Sequence, residues 1–302
     1  MSPRHVLEVD DLTADEVARV LDLADDPARP PVLVGQTVGL YFEKPSLRTR
    51  HSSETAVVQL GGHPVTFRKD EIGGPSREPY GDVARVLSGY HAALGGRVFD
   101  HRMLEALAAA ATVPVVNLLS DTGHPCQALT DLLTMRQAWG GLAGRTVAWI
   151  GDFNNVARSL SLGAARTGMR VRIASPPGFG PSEADVERLL AAGLDGPPVV
   201  TDRPHEAARG ADAVHTDVWA SMGQEGEADH RRRAFEGFQV DGSVMAEASR
   251  EAIFMHCLPA HRSEEVAAEV VDGPQSRVFP QAHNRLHAFR GLLRFLLEDE
   301  DR

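Results

Sequence analysis

Five short stretches of this sequence group residue types that could do chemistry. The first is FEKPSLRTR, residues 42–50. It reads as the end of a strand, a punctuating Pro45, and a helix that opens at Ser46. A helix N-terminus presents free N–H groups and roughly half a positive charge. Arg48, Thr49 and Arg50 fall in the first turn, where cations oppose the helix dipole. A bound anion would reverse that balance, with Ser46 and Thr49 adding hydroxyl donors. A Ser-capped helix with solvated arginines would explain the same residues, and on this stretch alone both readings stay open. It is not the phosphate loop of the GxxxxGK[ST] type.

The second stretch is HPCQALTD, residues 124–131. It also follows a strand-like run and opens a helix, with Pro125 where a first-turn proline is tolerated. His124 can donate to a carbonyl oxygen, and Gln127 can donate and accept. Taken alone, a capping histidine over a core Cys126 is the plainer reading. GDFNN, residues 151–155, lacks GxGxxG, and no acidic residue ends the strand that follows, which disfavours a nicotinamide dinucleotide. DVWASMG, residues 217–223, offers the Asp217 carboxylate, suited to an ammonium group or to a helix cap. HCLPAHR, residues 256–262, carries Cys257, and a free cysteine is ordinarily a small buried apolar group. His256, Cys257 and His261 fit no standard zinc spacing, so no metal is expected.

The elements that must position these stretches alternate. LTADEVARVLDLA, residues 12–24, has helical spacing, with Thr13 or Asp15 as its cap. VGLYF, HPVTF, HAALGGRV and VPVVNL then read as strands separated by helices. Two glycines weaken the third of these. A second series starts at Arg145 with TVAWIGD, MRVRIASP, PPVVTD, ADAVHTD and EAIFMHCLP. Strands alternating with helices predict parallel sheets flanked by helices. The break near residues 134–144 predicts two α/β domains, 1–134 and 135–279. The last helix is read over residues 285–299, in a segment of about 280–302 that packs back on the first domain. In open parallel sheets, ligands bind beyond the carboxyl ends of strands, and each stretch above lies just after a strand.

Composition sets bounds. The 302 residues suffice for two cores. Lys and Arg total 31 against 42 Asp and Glu, a net charge of -11, which argues against nucleic acid or a membrane surface as partner. Two cysteines, Cys126 and Cys257, make a disulfide framework unlikely and fit a reducing cytoplasm. No apolar run approaches a bilayer span, and the N-terminus shows no export signal.

Taken in order, FEKPSLRTR, HPCQALTDLLT, GDFNNVARSL, DVWASMGQE and HCLPAHR closely resemble the ornithine carbamoyltransferase family, over nearly the whole chain. The resemblance implies transfer of the carbamoyl group of carbamoyl phosphate to the δ-amine of L-ornithine, with no cofactor. It implies a carbamoyl-phosphate-binding first domain, an ornithine-binding second domain and a homotrimer. Ser46, Leu47, Arg48 and Thr49 match the phosphate-binding turn. Arg97, His124, Gln127 and Arg285 match groups around the phosphate and carbonyl oxygen, with Pro125 and Cys126 in the same stretch. Asn155, Asp217, Ser221 and Met222 match the acceptor site. Cys257 would lie against the reacting amine and the Leu258 carbonyl would accept from it. The catalytic set is then Arg48, Arg97, His124, Gln127, Cys257 and Arg285. An amine of pKa about 10.4 is only about a thousandth free base at neutral pH, a cost on the order of 4 kcal/mol that desolvation near Cys257 would lower.

The departures from the family pattern lie on the donor side. Leu47 stands where the family has Thr, which removes one hydroxyl contact worth about 1 kcal/mol. Glu71 stands near the position of a carbamoyl-phosphate Gln, so Lys69, Arg77 or a neighbouring subunit would have to offset its charge. Ser53, Val98 and His283 replace a usual Phe, a usual Thr and a common acid. Putrescine remains an alternative acceptor, because Asp217 could bind the far amine of either. A catalytically weakened paralogue is the rival outside the enzyme class.

Overall fold

The computed structural model describes residues 3–72, 78–220 and 225–298. It resolves two compact units, residues 1–133 with 283–302, and residues 134–282.

The first unit is built on four parallel strands: β1 (Thr37–Phe42), β2 (His63–Arg68), β3 (Ala93–Arg97) and β4 (Val115–Leu119). Their order is β2-β1-β3-β4, with β1 paired to both β2 and β3. The weakly written strand is β3, and every residue of it is buried. Its glycines are a packing requirement, since a Cβ on Gly96 would sit 2.5 Å from the Leu104 side chain. The register towards β4 slips between Gly96 and Arg97, and Arg97, paired with Phe42 and Leu119, closes the strand. Thr13 caps the Ala14–Asp25 helix, with Glu16 completing a reciprocal capping box.

The closing helix, Val278–Glu298, starts seven residues before the expected Arg285. Pro280 sits in its first turn, where no intrahelical N–H is lost. From residue 283 on it belongs to the first unit. Gly291 permits contact with the Ala14–Asp25 helix, because a Cβ there would meet Ala24 N and Val20 O at 2.7 Å. Arg290 donates to the Ala24 and Asp26 carbonyls, and Arg294 pairs with Asp26 at 2.9 Å. These guanidinium groups satisfy carbonyls at the end of that helix.

The second unit carries β5 (Thr146–Ile150), β6 (Arg170–Ala174), β7 (Val199–Thr201), β8 (Ala213–Thr216) and β9 (Ile253–His256). All pairs are parallel and the order is β7-β6-β5-β8-β9. The strands β5 and β8 are wholly buried, β5 through its apolar run and β8 with His215 and Thr216 buried as well. Short helices at Ala228–Ala234, Gly242–Glu247 and Ala268–Val271, none of them anticipated, fill the stretches around β9. Among the described residues no helix is long and apolar enough to cross a membrane.

Candidate active site

In the first unit the chain leaves β1, and Ser46 caps the Leu47–Gln59 helix by accepting from the Thr49 amide at 3.3 Å. No acid lies in that first turn. Arg50 is held by Glu54 at 2.8 Å, and Glu54 also accepts from Thr66. Arg48 is half-buried and makes no ion pair among the described residues. Leu47 is 71 % exposed, so its side chain fills no core and its contribution is the backbone N–H.

Thr49 is buried and sits at the centre. Its hydroxyl accepts from Arg97 at 3.3 Å and from Arg285 at 2.7 Å. Arg285 also donates to Gln127 Oε1, and Gln127 donates to Asp131 at 2.8 Å. Residues far apart in sequence therefore converge: the turn after β1, the end of β3, the start of the Pro125–Trp139 helix and the closing helix. Two buried guanidinium groups meet on a neutral hydroxyl, an arrangement that a dianion would stabilise strongly.

His124 is buried beside them. Burial, then the cations Arg285 and Arg97, hold its imidazole well below the usual histidine range. It is therefore neutral at physiological pH and can donate a hydrogen bond without adding charge. Lys44, which no sequence pattern singled out, is also lowered, first by burial and then by Arg97. Its ammonium lies 4.1 Å from the centre of the Phe99 ring. Cys126 turns its thiol into the core, where it donates to the Asn117 carbonyl at 3.4 Å. Burial pushes that thiol up to about 12, so it is no nucleophile at neutral pH.

Glu71 does not join this cluster. It is exposed and accepts from the Arg68 amide at 2.8 Å, bracing the short Lys69–Ile72 helix. Lys69, the expected counter-charge, pairs instead with Glu43 at 2.8 Å, and Glu43 accepts from the Phe99 amide. Arg77 lies outside the described residues. Ser53 and Val98 are buried, and His283 is exposed.

In the second unit the centre is Asp217, buried just after β8. One carboxylate oxygen accepts from Asn154 Nδ2 at 2.9 Å, and the other from the Cys257 thiol at 3.0 Å. Asn154 also caps the Asn155–Arg166 helix, accepting from the Val156 and Ala157 amides. The residue singled out in sequence was Asn155, which is half-buried at the first helical position. Its neighbour Asn154 makes the contact to Asp217, and its capping position was the signal that could have found it.

Nearby, burial raises the Asp152 carboxyl and the Asp217 charge adds to the shift, against the pull of Arg231 at 2.7 Å. Leu258 follows Cys257 at φ +60°, a left-handed conformation that costs a non-glycine residue about 1–3 kcal/mol. Ser221 and Met222 lie outside the described residues.

Residues 4–137 match the family model for the carbamoyl-P binding domain of aspartate/ornithine carbamoyltransferase, and residues 143–296 match its Asp/Orn binding domain. The chain is 51 % identical to an ornithine carbamoyltransferase of Acidothermus cellulolyticus, over 98 % of this chain and 97 % of that one. It is similar to the solved ornithine carbamoyltransferase of Pyrococcus furiosus, with a TM-score of 0.92 and 41 % identity over 99 % of this chain and 98 % of that one. The Thermus thermophilus structure of the same name gives 0.89 and 44 %, covering 98 % of this chain and all of that one. With both halves matched in order, the chain belongs to the aspartate/ornithine carbamoyltransferase family.

Proposed function

We propose that this chain is an ornithine carbamoyltransferase, which converts carbamoyl phosphate and L-ornithine to L-citrulline and phosphate. The observation that carries the reading is the meeting of Arg97 and Arg285 on the neutral Thr49 hydroxyl, beside neutral His124 and at an acid-free helix N-terminus. Carbamoyl phosphate is a dianion next to a carbonyl, and that cluster offers cations for the one and a neutral donor for the other.

The acceptor half has the opposite sign. Asp217 is a buried carboxylate held by the neutral donors Asn154 and Cys257. It suits an ammonium group and repels a dicarboxylate, which favours ornithine over aspartate within this family. Acylation of the α-amine would remove the partner Asp217 is held to meet.

The steps follow from these groups. The δ-nitrogen lone pair attacks the carbonyl carbon and a C–N bond forms. Arg48, Arg97 and His124 stabilise the resulting oxyanion. The bond between the carbonyl carbon and the bridging phosphate oxygen breaks, phosphate leaves with the electron pair, and it takes the amine proton. Gln127 and Arg285 hold the carbamoyl group and the phosphate. The Leu258 carbonyl accepts from the attacking nitrogen while Asp217 binds the α-ammonium, with Asn155, Ser221 and Met222 completing the acceptor contacts. The bonds balance without a metal or an organic cofactor.

We read the enzyme as a cytoplasmic homotrimer of arginine biosynthesis, a reading supported by the family resemblance. Light scattering of the purified protein tests the trimer. Initial rates of carbamoyl transfer to ornithine, putrescine, aspartate and N-acetylornithine under one condition test the acceptor. Ornithine is expected to react fastest, and a faster rate with any of the others overturns the assignment.

A further inference from the structure

The HCLPAHR loop is held by a pair of residues that no step above uses. His256 ends β9 and is buried, as is Glu265 nine residues on. The Leu258 amide donates to His256 Nδ1 at 2.9 Å. An amide can only donate, so Nδ1 carries its lone pair and the ring proton sits on Nε2. Nε2 lies 3.1 Å from Glu265 Oε1. The same carboxylate oxygen accepts from the His261 amide at 2.6 Å. The His256 backbone amide is fixed in turn by Gln281 Oε1 at 2.9 Å.

One buried carboxylate therefore ties both ends of the loop: His256 at its start through the ring, and His261 near its close through the backbone. Between them Cys257 donates to Asp217, and Leu258 keeps its left-handed φ of 60°. A surface loop with no such tie would relax Leu258 towards an ordinary conformation and turn both its carbonyl and the Cys257 thiol.

We infer that Glu265 and His256 form a positioning pair that sets the Cys257–Leu258 turn for the acceptor amine, with Glu265 fixing the His256 tautomer and His256 Nδ1 fixing the Leu258 amide. The inference rests on the carbamoyl-transfer reading above. Neither residue need touch a substrate, so both are positioning residues. Their loss should move acceptor use and leave donor use alone.

The test is steady-state kinetics with both substrates varied, on the full-length protein. Glu265→Leu and His256→Leu are expected to raise KM for ornithine by about tenfold or more, the effect of unmaking one buried hydrogen bond. KM for carbamoyl phosphate is expected to stay within about twofold of wild type. His256→Asn returns an acceptor near the Nδ1 position and Glu265→Gln keeps an oxygen for both donors, so each should recover most of the loss. A purely structural role would not give rescue that follows the position of one acceptor atom. If the leucine variants do not fold, the two conservative variants decide: near-wild-type ornithine KM in both supports the pair. Folded leucine variants with unchanged ornithine KM overturn it, as do equal rises in both KM values or conservative variants no better than leucine. Wild-type protein that carbamoylates no ornithine overturns the underlying reading instead, and the pair with it.

Discussion

The two candidate clusters, one in each unit, solve opposite problems by the same device. In the donor half, Arg97 and Arg285 share the Thr49 hydroxyl, and the helix N-terminus adds positive potential. In the acceptor half, Asp217 is held by an amide and a thiol. The Thr49 hydroxyl shared by the two cations is neutral, as are the amide and thiol on Asp217, so a ligand of opposite charge adds an attraction that these contacts do not supply. The halves differ in how their charge is assembled. The donor cluster is assembled from four separated segments, three of which carry its cations, whereas Asp217 is one residue held by Asn154 and Cys257. Loss of a single donor group should therefore damage turnover, and loss of Asp217 should damage binding.

The largest expected effect is at Arg48. Arg48→Ala should lower kcat by about a thousandfold, the upper range for one oxyanion donor, read by citrulline formation at saturating substrates. Near-normal turnover would remove Arg48 from the chemistry. Next, Asp217→Asn should raise KM for ornithine by about a hundredfold and leave KM for carbamoyl phosphate unchanged, which separates the halves directly. A matched rise in both would show that the halves are not independent.

The third prediction concerns pH and the first unit, where His124 lies in the donor cluster and His91 lies apart from it, its Nδ1 2.7 Å from the Thr37 hydroxyl at the start of β1. Burial lowers both His124 and His91 from the ordinary value of 6.5. The folded chain thus binds fewer protons than the unfolded one below that value. Stability from these groups is complete above pH 6.5 and falls as pH drops below it, by up to about 1.4 kcal/mol per pH unit for each. Denaturant melts in acid against neutral buffer measure the slope, and His91→Gln should flatten it. An unchanged slope would place the shift elsewhere. The smallest effect is at Leu47. Its side chain is exposed, so Leu47→Thr should leave stability unchanged and lower KM for carbamoyl phosphate by about fivefold through one regained hydroxyl. No change in that KM would mean the hydroxyl has no partner there.

The sheets and the two strand-to-helix turns were legible because buried parallel strands write continuous apolar runs and helix starts write Ser, Pro and Asn caps. The run HAALGGRV reads weakly because glycines lower strand propensity. In the fold Gly96 is required by the Leu104 side chain, a contact between elements that no local pattern carries. Among site residues, Arg97 and Arg285 were found only through their resemblance to a family, since nothing in their local sequence shows that both will reach Thr49. Lys44 and Asn154 were missed although each stands beside a residue that was named. Glu71 reads in sequence as a liability to the phosphate, but its carboxylate accepts from the Arg68 amide within a separate short helix. The Glu265 contact to His256 was invisible, because an acid nine residues past a strand looks like any surface acid until the loop closes over it.

The most direct test of carbamoyl transfer is the stoichiometry of products from the wild-type protein. Carbamoyl phosphate and L-ornithine are incubated with it, the reaction is quenched, and citrulline and inorganic phosphate are measured in the same sample. The account predicts one phosphate for each citrulline, and without ornithine no phosphate above the spontaneous rate. Enzyme-dependent phosphate release without citrulline, or no product at all, would contradict it.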